Sequence, residues 1–263
     1  MREKNQNPNK LGAEEKPERL KWTPELVKRF WDGISHTRLS ELSFSKQGGR
    51  SLIIAINHLL TDEAHILDFG AGDGHLLQYM CKRGLSAAAY EPSQERGKEI
   101  IKSLSNYPRF LGIIDSTSDK TFDVVIMAEV IEHILEEELD KTLTQVAKYI
   151  KPGGYLVVTT PNNEDLDLSM VYCPVSNQLF HRWQHIRSFT EETLGNLLSQ
   201  YGIKELVTHQ VEFNDAVYIP GDPVWGGDQK NEDIPSYVSD MRINKATKMG
   251  SESNLLFIGR KEN

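Results

Sequence analysis

The sequence predicts an α/β fold built on a doubly wound, mostly parallel sheet, and three observations predict it. Short apolar runs alternate with helix-period segments from residue 65 to residue 159. The first run ends in a glycine turn, Asp68-Phe69-Gly70-Ala71-Gly72-Asp73-Gly74. The acids Asp68, Glu91, Asp115 and Glu129 each fall at the carboxyl end of a predicted strand, the edge at which such sheets take ligands.

In chain order, Trp22-Thr23-Pro24-Glu25 is a helix start: Thr23 can cap, Pro24 suits the first turn and Glu25 favours the positive end. Leu26, Val27, Phe30 and Trp31 follow at helical spacing as a packing face. A second helix is predicted over 49–60. Strands at 65–69, 87–91, 110–114, 122–127 and 155–159 then alternate with helices at 74–83, 93–104 and 137–150. Pro152-Gly153-Gly154 stops the last of these helices. Beyond strand five the rhythm breaks. Residues 161–189 show no periodicity, Thr190 caps a helix over 191–201, a strand lies near 204–212, residues 214–250 are irregular, and 254–259 reads as the final strand. Long irregular segments in a compact domain are often functional, so 161–189 and 214–250 are assigned to substrate recognition.

The glycines let the backbone approach a ligand closely at positive φ. Glu91, one βα unit later, can accept hydrogen bonds from ribose hydroxyls. Together they indicate an adenosine-type cofactor. A dinucleotide fingerprint would need a glycine at 75, where His75 stands, and the lysine of a triphosphate loop is absent.

At Asp68, Gly70, Gly72 and Gly74 the chain resembles class I S-adenosylmethionine-dependent methyltransferases, whose first motif is D-x-G-x-G-x-G. The resemblance implies a Rossmann-like fold with a seven-stranded sheet whose last strand inserts antiparallel between strands five and six. It also implies S-adenosylmethionine as cofactor, held by Asp68, Gly70, Gly72, Gly74 and Glu91, with Asp115 toward the adenine.

Glu129-Val130-Ile131-Glu132-His133 follows strand four. If helical, Glu129, Glu132 and His133 share a face by their i, i+3, i+4 spacing, which makes a divalent-metal half-site (Mg, Mn or Zn). His185 is the expected further ligand and His181 the reserve. The Glu-x-x-Glu-His pattern is similar to that of ubiquinone-biosynthesis O-methyltransferases and of small-RNA 3′-terminal 2′-O-methyltransferases, in both of which it is implicated in binding a divalent ion. Without metal, His133 is the candidate base and Glu132 its orienting partner, because imidazole titrates near neutrality. Trp183 and Trp225 either wall an acceptor pocket or cover the sheet edge.

Composition sets the remaining bounds. The 263 residues suit a single domain: a disordered tail over 1–20, then 21–263 with an N-terminal helical cap at 21–62. A formal charge of −8 without a basic stripe disfavours nucleic acid. No apolar run is long enough to span a bilayer. Only Cys81 and Cys173 are present, and the first twenty residues have no apolar leader, so the expected compartment is the reducing cytoplasm. The expected reaction is methylation of a hydroxyl oxygen on a small molecule or sugar. The alternatives are RNA 2′-O-methylation and a non-catalytic cofactor-binding module.

Overall fold

The structure, a computed structural model, describes residues 16–211, 213 and 253–262. The substrate-recognition segment predicted at 214–250, with Trp225, lies outside these residues, as does most of the predicted tail. The end of that tail does not fit the prediction: β1 (Glu18–Arg19) pairs in parallel with a later strand, so ordered chain begins before residue 21.

Helix α1 (Pro24–Ser35) starts as its sequence dictates, with Thr23 Oγ1 accepting the Leu26 N–H. Its apolar face is only half-buried. After the short α2 (Phe44–Gln47), α3 (Gly49–Ala55) is almost wholly buried. The single helix predicted over 49–60 is broken at Ile56, beyond which Asn57–Leu59 tightens into a 3₁₀ turn.

The sheet core is β2 (His65–Phe69), α4 (His75–Lys82), β3 (Ser86–Tyr90), α5 (Gln94–Leu104), β4 (Phe110–Ile114), β5 (Phe122–Ala128), α6 (Glu136–Tyr149) and β6 (Ile150–Pro161). A small hairpin, β7 (Met170–Cys173) and β8 (Gln178–His181), leads to α7 (Glu191–Ser199), β9 (Ile203–Val211) and β10 (Asn254–Lys261). The main sheet runs β4-β3-β2-β5-β6-β10-β9, with β10 antiparallel to both neighbours and the first five strands parallel. The seven-stranded, doubly wound sheet with an antiparallel last strand is thus present.

Two apolar layers hold it. Side chains alternate along each strand, so Ile66 joins Leu52, Leu77, Met80 and Ile100 on one face, while Leu67 joins Leu143, Val146, Leu194 and Leu198 on the other. Truncating any of these leucines to alanine would cost about 2–5 kcal/mol.

The order of strands reverses between β2 and β5: the chain winds outward through β3 and β4, returns to β5, and continues on the other side. A crevice opens at the carboxyl ends of strands at such a switch. The glycine turn after β2 and the Glu129–His133 segment after β5 therefore flank one opening.

Two further sequence expectations are corrected. Strand β6 begins at Ile150, not Tyr155, and absorbs Pro152-Gly153-Gly154 as an irregularity opposite Asp123, Gly153 having φ +73°. Residues 161–189 are not irregular throughout, since β7 and β8 pair antiparallel and β1 adds a third strand. Their alternation is too short to register as a period.

Candidate active site

A cavity of about 910 Å³ lies over the switch point. It is lined by the glycine turn and Glu91 at one end, by Glu129, Val130 and His133 at the other, and by Trp31, Glu164 and His185 above.

At the cofactor end the three glycines have φ +80° (Gly70), +54° (Gly72) and +78° (Gly74), which a side chain would strain. A Cβ at Gly70 would lie 2.6 Å from Val130 Cγ2, so only glycine lets the turn pass beneath the Glu129–His133 segment. The Gly70 N–H bonds the Tyr90 carbonyl at 2.8 Å. Glu91 accepts the Gly72 and Ser93 N–H groups, each at 2.8 Å. Burial raises the Glu91 carboxyl, and those two N–H groups oppose the rise. Asp68 is 3% exposed, and burial with the Glu91 charge pushes its carboxyl to about 7. Asp68 Oδ2 has no hydrogen-bond partner among the described residues, an orphaned acceptor where a polar ligand group would satisfy it.

Asp115 is placed differently from its expected role. Its side chain is turned into its own loop, accepting the Thr117 N–H at 2.8 Å and the Thr117 hydroxyl at 2.5 Å, and it does not line the cavity.

At the other end the segment after β5 is not the helix that the i, i+3, i+4 argument required. Glu129 has φ +53°, with its N–H held by the Thr159 carbonyl at 3.0 Å, and only Ile131–His133 turns, as 3₁₀. The two carboxylates nevertheless meet. Glu129 accepts from Asn254 Nδ2 at 3.1 Å, and burial raises its carboxyl to about 7. Glu132 is fully buried and accepts from the Thr160 hydroxyl at 3.0 Å, and burial plus the Glu129 charge push its carboxyl well above the usual range. His133 is held neutral, lowered to about 3 by burial first and by His185 second. Glu132 Oε1 and His133 Nδ1 are buried without hydrogen-bond partners among the described residues.

His185 completes this group. One ligand atom each from Glu132, His133 and His185 lie within 4.8 Å of one another. Three of the four predicted metal residues therefore converge, and Glu129 stands beside Glu132. A second triad, Glu164, His181 and His185, shares His185 and includes the reserve histidine. Glu164 Oε2 lies 2.5 Å from His185 Nδ1 and Glu164 Oε1 lies 3.2 Å from His181 Nε2. The two histidines hold the Glu164 carboxyl down at about 2 against the effect of its burial.

Sequence reasoning missed Glu164 and Gln184. Gln184 is fully buried at φ +63°, accepts from Trp31 Nε1 at 2.9 Å and donates to the His133 carbonyl at 2.9 Å. Trp31, read as a packing residue, meets the His133 ring edge-on at 4.9 Å while Arg96 covers its indole. Trp183 lines the cavity.

Residues 39–209 match a sequence family described as a methyltransferase domain. The chain belongs to this family. As the glycine motif implied, it is a class I S-adenosylmethionine-dependent methyltransferase in fold and motif. Human mitochondrial ubiquinone biosynthesis O-methyltransferase is 28% identical over 158 residues, 52% of this chain and 41% of that protein. The ubiquinone biosynthesis O-methyltransferase of Rickettsia conorii is 32% identical over 106 residues, 37% of this chain and 35% of that protein. The methyltransferase thus spans about two-fifths of the length of the curated relatives it matches. Among solved structures it is similar to the Burkholderia thailandensis 1,6-didemethyltoxoflavin-N1-methyltransferase (TM-score 0.60, 14% identity, 94% of each chain). It is also similar to a SAM-dependent methyltransferase from Archaeoglobus fulgidus (TM-score 0.52, 19% identity, 85% of this chain and 98% of that one). At these identities the likeness concerns the fold. No helix among the described residues is long and apolar enough to cross a membrane.

Proposed function

We propose that this methyltransferase moves the methyl group of S-adenosylmethionine to a hydroxyl oxygen of a small molecule or sugar, with a divalent ion held by Glu132, His133 and His185 beside Glu129. The observation that carries the reading is the meeting of those residues, two of them with orphaned buried atoms, in the cavity that also holds the glycine turn. Two buried carboxyls, Glu129 raised by burial and Glu132 by burial and the Glu129 charge, form an electron-rich pocket that a cation would neutralise.

Asp68, Glu91 and the glycine turn hold the cofactor's nucleoside, so that its sulfonium faces the Glu129–His185 end. Trp31 and Trp183 flank the acceptor. A bound divalent ion would lower the pKa of the acceptor hydroxyl. The carboxylates of the cluster, raised by burial, take the proton of that hydroxyl, while His133, whose basicity burial lowers, orients it, and the oxygen then attacks the methyl carbon in line as the sulfur leaves. Positioning and the exclusion of water around the sulfonium supply most of the rate. Segments 161–189 and 214–250 select the acceptor. The O-methyltransferase relatives support an oxygen acceptor. The formal charge of −8 and the absence of a basic stripe disfavour RNA as acceptor.

The test is calorimetric titration of Mg²⁺, Mn²⁺ and Zn²⁺ into metal-stripped protein saturated with S-adenosylhomocysteine. Labelled-methyl transfer to a panel of phenols, diols and sugars, with an RNA oligonucleotide beside them, completes it. One ion per chain, lost in Glu132→Ala, supports the reading. Absence of any ion binding removes the metal and leaves proton removal to the buried carboxylates of Glu129 and Glu132, and transfer to RNA alone would overturn the small-molecule acceptor.

A further inference from the structure

His185 reaches the Glu132–His133 pair from the segment between β8 and α7, and the hydrogen bonds around it decide where its proton sits. His181 comes first. Its Nδ1 accepts two backbone N–H groups, from Trp183 at 3.3 Å and from His185 at 3.1 Å. That nitrogen has no proton, so the neutral ring carries its proton on Nε2, which lies 3.2 Å from Glu164 Oε1 without the alignment of a hydrogen bond. Glu164 turns its other oxygen to His185 Nδ1 at 2.5 Å. A carboxylate only accepts, so His185 carries its proton on Nδ1. Nε2 of His185 is then the nitrogen with a free lone pair. Its ring lies 4.8 Å from that of His133 and stacks at 4.4 Å on His181, which blocks rotation.

We infer that Glu164 and His181 are positioning residues, which lock His185 as the Nδ1–H tautomer and so present its Nε2 lone pair to Glu132 and His133. This rests on the reading of Glu132, His133 and His185 as the ion-holding cluster, but the tautomer itself exists without any ion. The arrangement also separates the two triads. His181 faces Glu164 with an N–H and not with a lone pair, so the Glu164 group acts as support and the Glu132 group as the binding site. Carboxylates that hold a ligating imidazole in this way typically change metal affinity 10- to 100-fold when removed.

Glu164→Gln tests the lock sharply. The backbone leaves the His181 proton on Nε2, 3.2 Å from the Glu164 carboxylate, and this N–H opposes an amide NH₂ on that side, so the glutamine turns its carbonyl to His181 and its NH₂ to His185. A donor beside Nδ1 forces the His185 proton onto Nε2, where it blocks the lone pair.

The experiment is long-range ¹H–¹⁵N correlation of the histidine rings in the full, metal-free chain at pH 8, with rings assigned by single His→Gln variants. Mn²⁺ titration of the wild type and of Glu164→Gln follows. The expected result is His185 protonated on Nδ1 and His181 on Nε2 in the wild type, His185 switched to Nε2–H in Glu164→Gln, and Mn²⁺ affinity about 10- to 100-fold weaker in that variant. A wild-type His185 protonated on Nε2 overturns the inference, and so does a Glu164→Gln variant with an unchanged tautomer. If that variant fails to fold, the wild-type spectrum alone decides. The expected tautomers with no Mn²⁺ uptake by the wild type would overturn the metal reading and leave the lock supported.

Discussion

The Glu91 carboxylate accepts the Gly72 N–H at 2.8 Å, tying the tip of β3 to the turn that follows β2. The same carboxylate is the acid we propose for the cofactor's ribose. Glu91→Ala removes a charge-assisted contact worth about 1.5–3 kcal/mol, roughly a 10- to 100-fold loss of affinity. Calorimetry with S-adenosylhomocysteine reads this directly. Glu91→Gln, which keeps one acceptor oxygen, should fall between. Unchanged affinity in both variants would remove Glu91 from the cofactor site.

Gly70 and Gly72 should respond differently to alanine. Both have positive φ, but a Cβ at Gly70 meets Val130 at 2.6 Å while a Cβ at Gly72 meets nothing within 4 Å. Gly72→Ala should cost only the backbone term, about 1–2 kcal/mol. Gly70→Ala should cost more in urea unfolding and should recover part of the loss when Val130 is also shortened to alanine. Equal destabilisation at the two positions would contradict the contact.

Asp68 gives the protein a pH dependence of predictable sign. Its carboxyl is raised from 3.8 to about 7, so the folded chain holds the proton more tightly than the unfolded chain. The stability this group contributes is complete below about pH 4, declines as pH rises and is lost above about pH 7, a change on the order of 2–4 kcal/mol. Asp68→Asn should flatten that part of the profile in cofactor-free protein, measured by denaturant unfolding between pH 5 and 8. A variant that keeps the full slope would place the titration elsewhere.

Gln184→Ala should leave Trp31 Nε1 and the His133 carbonyl without their partner, each inside the protein. The expected destabilisation is about 1–3 kcal/mol. Because the bond to His133 holds the acceptor end and not the glycine turn, kcat should drop while S-adenosylhomocysteine affinity stays near the wild-type value. Loss of cofactor affinity equal to the loss in kcat would mean that Gln184 acts through general loosening.

The cofactor half was readable in the sequence because its signals are local. Strand, turn and acid lie within one βα unit, and each residue's conformation follows from its neighbours in the chain. The acceptor half was readable only in part. Glu132, His133 and His185 were found by residue type, although the helix invoked to align them is absent, because the Thr159 carbonyl on a neighbouring strand sets the Glu129 backbone. Glu164 and Gln184 gave no signal, since each acts on residues at least 17 positions away in one direction or 51 in the other. Asp115, a strand-end acid that resembles a ligand, spends one oxygen, Oδ1, on the Thr117 N–H and hydroxyl and stands outside the cavity lining.

The placement of β10 between β6 and β9 has a consequence for synthesis. Among the described residues strand β9 pairs with β10 alone, and β6 has β10 as its outer neighbour. Chains emerge from the ribosome N-terminal part first. Until residues 254–261 have emerged, β9 has no strand among the described residues to join and the hydrogen-bonding edge of β6 lacks its β10 partner. The nascent chain therefore carries a half-closed sheet through the making of every residue between 211 and 254, a window in which it offers an unpaired edge to other chains. The glycine turn and Glu91 need no such delay, so the cofactor-binding half can take shape on the ribosome while the other edge waits.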